Sequence, residues 1–193
     1  MKSMNKYIAT VVSRVFDPFL VFTVLLVITL TRSTLTSAEQ VRFLVLALVS
    51  IVGIPAGLLL LAIRKKIVTN WDISVRAQRP KMFVALLLLE IANLYFLRPF
   101  MDVFLLQTLI FIIVSAVGFM CVTFFWKISG HAFVSALASG LVVSWFGFSW
   151  WPVLFIPPIV GWSRVIRKDH TIAQVVAGTL YPWVLICIHN SIT

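Results

Sequence analysis

Residues 103–126 read VFLLQTLIFIIVSAVGFMCVTFFW, with no Asp, Glu, Lys or Arg anywhere in the stretch. A helix needs about 20 mostly apolar residues to cross a bilayer, and this run is long enough. Hydrocarbon offers no water to exposed amides, so such a segment satisfies its backbone internally as a spanning helix. Apolar runs of spanning length also occupy 41–63, with Arg42 near its start, and 171–188, and 16–31, with Asp17 near its start, forms a first span. Residues 82–97 are apolar but carry Glu90 and Asn93, which predicts a helix buried within a bundle. Glu90 reads as a functional acid or, the favoured reading, as a structural carboxyl, neutral or bonded to Asn93 one turn away. Residues 132–162 form a long apolar run, and a turn near Gly147-Phe148-Ser149 predicts two short helices, the second broken at Pro157-Pro158. The expected fold is all-α, a polytopic transmembrane helix bundle formed by residues 1–193 as one membrane domain, with about six or seven apolar segments.

Composition points the same way. Of 193 residues, 61% are hydrophobic and only 11% charged, against roughly a quarter charged in soluble domains. The chain has too little polar surface to cover itself in water and is expected in the cell membrane. Its net charge of +10 would suggest nucleic acid on a soluble protein. Here the cations gather at the ends of apolar runs, which fits lipid headgroups, topology and phosphate rather than nucleic acid. Cys121 and Cys187 lie inside apolar runs, with neither disulfide nor metal spacing. The start, MKSMNKYIATVVSR, has no small-residue cleavage site after an apolar core, so a removed signal peptide is not expected. Gly53-x-x-x-Gly57 suits close helix packing, within the chain or between copies. Most of the tryptophans mark segment ends, as an interfacial belt does.

Three polar islands interrupt the apolar chain: Arg76-Ala77-Gln78-Arg79-Pro80, Ser129-Gly130-His131, and Ser163-Arg164 with His170 six residues on. An even number of segments separates each from the next, so all three are expected on one membrane face. Except for Arg32, Arg42 and Arg98, every Lys and Arg, including Lys2, Lys6 and Arg14, falls on that face, which marks it as cytoplasmic.

Ionisable residues at membrane depth are costly and mark functional sites. A guanidinium holds a phosphoryl group through a planar fork and keeps its charge at any working pH. Arg79 and Arg164 are the best candidates for that role, with Arg76 as a third. Gly130 lets a backbone N–H approach an anion, Ser129 adds a hydroxyl, and the helix start beyond them presents unpaired N–H groups. His131 can protonate a leaving alkoxide. His170 can attack phosphorus and form a phosphohistidine that water then hydrolyses. His189 lies on the other face and reads as interfacial.

In order and content these islands resemble the type 2 phosphatidic acid phosphatase superfamily, whose motifs are K-x6-RP, PSGH and SR-x5-H-x3-D. The resemblance covers about residues 64–190, and Ser163-Arg164-x5-His170 matches its spacing in full. It implies a six-helix core and a metal-independent lipid phosphate phosphatase needing no cofactor. His170 would be the nucleophile, His131 the general acid, and Arg79 and Arg164 the phosphate ligands, with Ser129 and Gly130 assisting. The substrate would be a membrane lipid phosphate such as phosphatidic acid, phosphatidylglycerol phosphate or a polyprenyl phosphate or diphosphate. Three positions depart from the pattern. Asp72 stands at the Lys position, leaving Arg76 or Lys127 to supply that cation; Ile128 replaces the Pro before Ser129; and Gln174 replaces the Asp that orients the nucleophile. A non-catalytic phospholipid-binding member of the same fold, or a small membrane transporter, are the alternatives.

Overall fold

The computed structural model describes residues 2–192, and the side chains of 4–192; the side chain of Lys2, counted above, lies outside them. Among the described residues every regular element is helical. In chain order they are α1 (Lys2–Val15), α2 (Pro18–Leu30), α3 (Ser37–Ala47), α4 (Ile54–Arg64), α5 (Arg79–Leu97), α6 (Val103–Phe125), α7 (Gly130–Phe146), α8 (Ile156–Ile166) and α9 (Ile172–Ile192). A π-helical stretch, Leu48–Gly53, joins α3 to α4.

Four helical stretches are long and apolar enough to cross a membrane: Ser37–Arg64, Arg76–Phe100, Val103–Phe125 and Ile172–Ile192. Met4–Val15 with Pro18–Leu30, bent by 44° at the break, makes a fifth if the pair acts as one span. The pieces of 132–162 fall short, because Gly147 stops α7 after 17 residues and α8 has only 11. Gly147 has φ +86°, a conformation that costs any side chain and ends α7 where the sequence predicts a turn. Pro157-Pro158 acts differently from expectation. The pair sits in the first turn of α8, where a missing N–H costs nothing, so it opens that helix rather than breaking it. Many large apolar side chains point outward, Phe125, Tyr95 and Val103 among them, as a lipid-facing surface requires.

The chain divides into two compact units, one formed by residues 1–22 and 126–193 and the other by residues 23–125. In the second unit, Thr36 caps α3 reciprocally with Glu39. Asp102 starts α6, one carboxylate oxygen accepting from the Leu105 N–H (2.9 Å) and the other from the Thr34 hydroxyl (3.0 Å). Leu30, Phe43, Ala47, Leu97 and Leu105 form a buried cluster there. Further along, Asn93 Nδ2 donates to the Ser50 carbonyl (3.1 Å) and to Glu90 Oε2 (3.4 Å), the structural role expected for the Glu90–Asn93 pair. But α5 is not the buried helix expected: it belongs to a stretch long enough to span, and Val84, Leu88, Tyr95 and Phe96 face outward. In the first unit, α7 packs along α9 and α8, while α1 packs on α8 through its small buried residues Ala9 and Ser13.

Candidate active site

Within the first unit the second and third islands lie together, because three helix ends meet. Ser129 caps α7, its extended backbone (φ −82°, ψ 113°) placing Oγ to accept from the Ala132 N–H at 3.4 Å. This satisfies one of the first-turn amides and leaves the dipole of α7 directed at the same spot. His131, the second residue of the helix, is buried there.

The third island is a helix stop followed by a helix start. Arg164 occupies the last turn of α8. Lys168 then adopts a left-handed conformation, φ +62°, that reverses the chain. The reversal returns the N–H groups of Asp169 and His170 to the Arg164 carbonyl, at 3.0 and 3.3 Å. The SR-x5-H spacing is therefore the number of residues needed to finish one helix, reverse, and begin the next.

Arg164 is only 1% exposed, so its charge must be matched. Nη1 donates to the Ser13 hydroxyl at 2.6 Å, and Nη2 pairs with Asp169 Oδ2 at 3.1 Å. Arg167 Nε shares that carboxylate oxygen at 2.8 Å, and Lys127 Nζ donates to the Asp169 carbonyl at 2.8 Å. Asp169 thus holds the position an anionic ligand of Arg164 would take, and its carboxylate serves the arginines rather than the adjoining His170.

Gln174 is the joint of the site. Its Oε1 lies 3.1 Å from His170 Nδ1 and accepts the Thr171 N–H at 3.2 Å. Only oxygen can accept that backbone N–H, which fixes the amide orientation. In the neutral ring the proton is consequently on Nδ1 and the lone pair on Nε2. Gln174 also accepts the Ser129 N–H with its backbone carbonyl, at 3.1 Å, tying α9 to the turn before α7. One turn further along α9, Gly178 makes this approach possible. A Cβ there would stand 2.7 Å from the Ser129 carbonyl oxygen, closer than contact allows.

The first island belongs to the second unit. Arg79 is 3% exposed, donates from Nε to the Ile73 carbonyl (2.9 Å), and lies 5.9 Å from the centre of the Phe83 ring. Ile73 is itself held at φ +44°, a strained conformation for a β-branched residue, and this turns its carbonyl to the arginine. Arg76 is exposed and donates to the Phe124 carbonyl at 2.7 Å, while Asp72 is half-buried. Arg76, Arg79 and Asp72 are thus gathered in one unit, and Lys127, Ser129, Gly130, His131, Arg164, His170 and Gln174 in the other.

Ser13 is the participant the sequence does not reveal. It sits in an amphipathic helix far from every motif, and its only signal is a small polar residue four after Ala9 on the face that α8 covers. Compared with protein-family models, curated proteins and solved structures, the chain finds no match.

Proposed function

We propose that this chain is a membrane-embedded, metal-independent lipid phosphate phosphatase working through a phosphohistidine. The observation that carries the reading is the state of His170: Gln174 holds its Nδ1 proton and leaves the lone pair on Nε2, in a unit that also joins the ends bearing Arg164 and Ser129-Gly130-His131. In the first step Nε2 attacks phosphorus, the ester P–O bond breaks, and the leaving alkoxide takes a proton from His131. In the second, water attacks the phosphohistidine, His131 accepts the water's proton, and the P–N electron pair returns to Nε2. Arg164, the Ser129 hydroxyl and the first-turn amides of α7 stabilise charge on the phosphoryl oxygens. Incoming phosphate displaces Asp169 from Arg164.

The sequence pattern adds Arg79 and Arg76 as phosphate ligands and a six-helix core as the frame. The substrate is a phosphomonoester or diphosphate of a lipid, entering from the bilayer with its tails in hydrocarbon. The distribution of Lys and Arg favours a cytoplasmic site. One feature favours a second reading, a phospholipid-binding protein without turnover: Gln174 brings no charge to the His170 ring.

The test is inorganic phosphate release by the purified protein in detergent, with EDTA, from phosphatidic acid, phosphatidylglycerol phosphate and polyprenyl phosphates, beside His170→Ala. Release by the wild type alone supports the phosphatase. Binding of the same lipids without release by either protein replaces it with the second reading.

A further inference from the structure

Asp17 has no part in the motifs, yet it is as deeply buried as His131, each being 7% exposed. It lies at the break between α1 and α2 and caps α2, Oδ1 accepting the Phe19 N–H at 3.0 Å. An N-cap needs only one oxygen and no charge; Ser, Thr or Asn serves equally well. A buried carboxylate is far more costly than those alternatives unless something nearby uses it. In the first unit a carboxylate oxygen of Asp17 comes within 4.8 Å of a ring nitrogen of His131.

We infer that Asp17 is the positioning carboxylate of His131, fixing its ring and favouring the protonated form that gives a proton to the leaving alkoxide. The inference rests on the phosphatase reading and deepens it. Of the two histidines, the nucleophile is held by the neutral Gln174 and must keep a lone pair. The acid must carry a proton, and the negative charge stands beside that ring. Asp17 remains a carboxylate throughout; the proton moves from the imidazolium to the alkoxide and later returns to the ring from water.

Asp17→Asn tests this cleanly, because Asn caps a helix as well as Asp and preserves the start of α2. kcat/KM is measured on a lipid alkyl phosphate and on p-nitrophenyl phosphate, whose leaving group departs without a proton. The expected result is a loss of about 100-fold on the alkyl ester and little on the aryl ester. A structural defect lowers both alike, and equal losses or none overturn the inference. In parallel, the ring nitrogens of 15N-histidine-labelled protein are recorded by NMR, with His131→Gln assigning the signal. The His131 resonances should move in Asp17→Asn, and unmoved resonances overturn the pairing whether or not the enzyme is active. If the resonances move but wild type hydrolyses neither ester, the phosphatase reading fails and takes the catalytic role of Asp17 with it.

Discussion

The Arg164 guanidinium donates to the Ser13 hydroxyl across 2.6 Å, joining residues 151 positions apart in the chain. Together with Asp169 the hydroxyl fixes the plane of the fork. Hydrogen bonds to charged groups contribute about 1.5–3 kcal/mol. Ser13→Ala is expected to raise KM for a lipid phosphate about tenfold, with kcat changed little, since the mobile arginine still reaches the phosphoryl group once it is bound. Steady-state phosphate release separates the two constants.

Asp169→Asn should act in the opposite direction on anion affinity. The wild-type carboxylate occupies Arg164 and Arg167 at 3.1 and 2.8 Å. Removing its charge relieves the competition, and inorganic phosphate is expected to inhibit the variant at a concentration about three- to tenfold lower. Unchanged or weaker inhibition would show that Asp169 builds the anion site instead of competing for it.

Gln174→Glu keeps the chain length and both acceptor contacts, to His170 Nδ1 and to the Thr171 N–H, while adding a charge. That charge stabilises the imidazolium character developing on His170 as it bonds to phosphorus. Turnover is expected to rise about tenfold, and Gln174→Leu, which removes the acceptor, to fall at least as far. Quench-flow measurement of phosphohistidine formation locates the change in the first step.

Gly178→Ala drives a methyl into the Ser129 carbonyl, a backbone atom that has no rotamer to escape into. The turn before α7 must move, and activity is expected to drop about 100-fold, as displacements near 1 Å do in catalytic sites. Gly57→Ala is the control, because a Cβ there meets nothing within 4 Å. It should leave activity and melting temperature nearly unchanged.

Lys168, at the reversal between α8 and α9, reports sidedness. In a background where Ser replaces Cys121 and Cys187, Lys168→Cys is expected to react with a membrane-impermeant maleimide in inverted vesicles and not in intact cells. The reverse pattern would place the first unit's site on the outer face.

Much of the fold was legible as hydropathy, because lipid imposes one rule on every spanning residue. The charge-free run 103–126 became α6 with its end shifted by one residue, and the Gly147 turn fell where expected. Pro157-Pro158 was misjudged because the same ring that breaks a helix interior suits its first turn, and a short sequence pattern does not say where the first turn is. In the site, the Arg164–His170 spacing could be read because it is local, though the reversal at Lys168 between them could not. Ser13 and Asp17 were invisible, since their contacts run to helices more than 100 residues away in sequence. Asp169 could be suspected, but its allegiance to the arginines depends on the direction of the Lys168 turn, which a sequence does not display.

The wide turn at Leu48–Gly53 has a consequence for register. Buried positions along this span are Phe43, Ala47, Ser50, Pro55, Leu59 and Ala62, advancing by four, three, five, four and three residues. The step of five, from Ser50 to Pro55, crosses the second half of the π-helical stretch into α4, and within that stretch each backbone bond encloses one extra residue. The stretch works as a phase corrector: it absorbs a residue that would otherwise swing everything beyond it by about 100° around the axis. Deleting one residue from that stretch would restore an ordinary α-helix with the inward stripe still in phase, whereas winding the full-length stretch as α-helix would turn everything beyond it away from its neighbours and toward lipid.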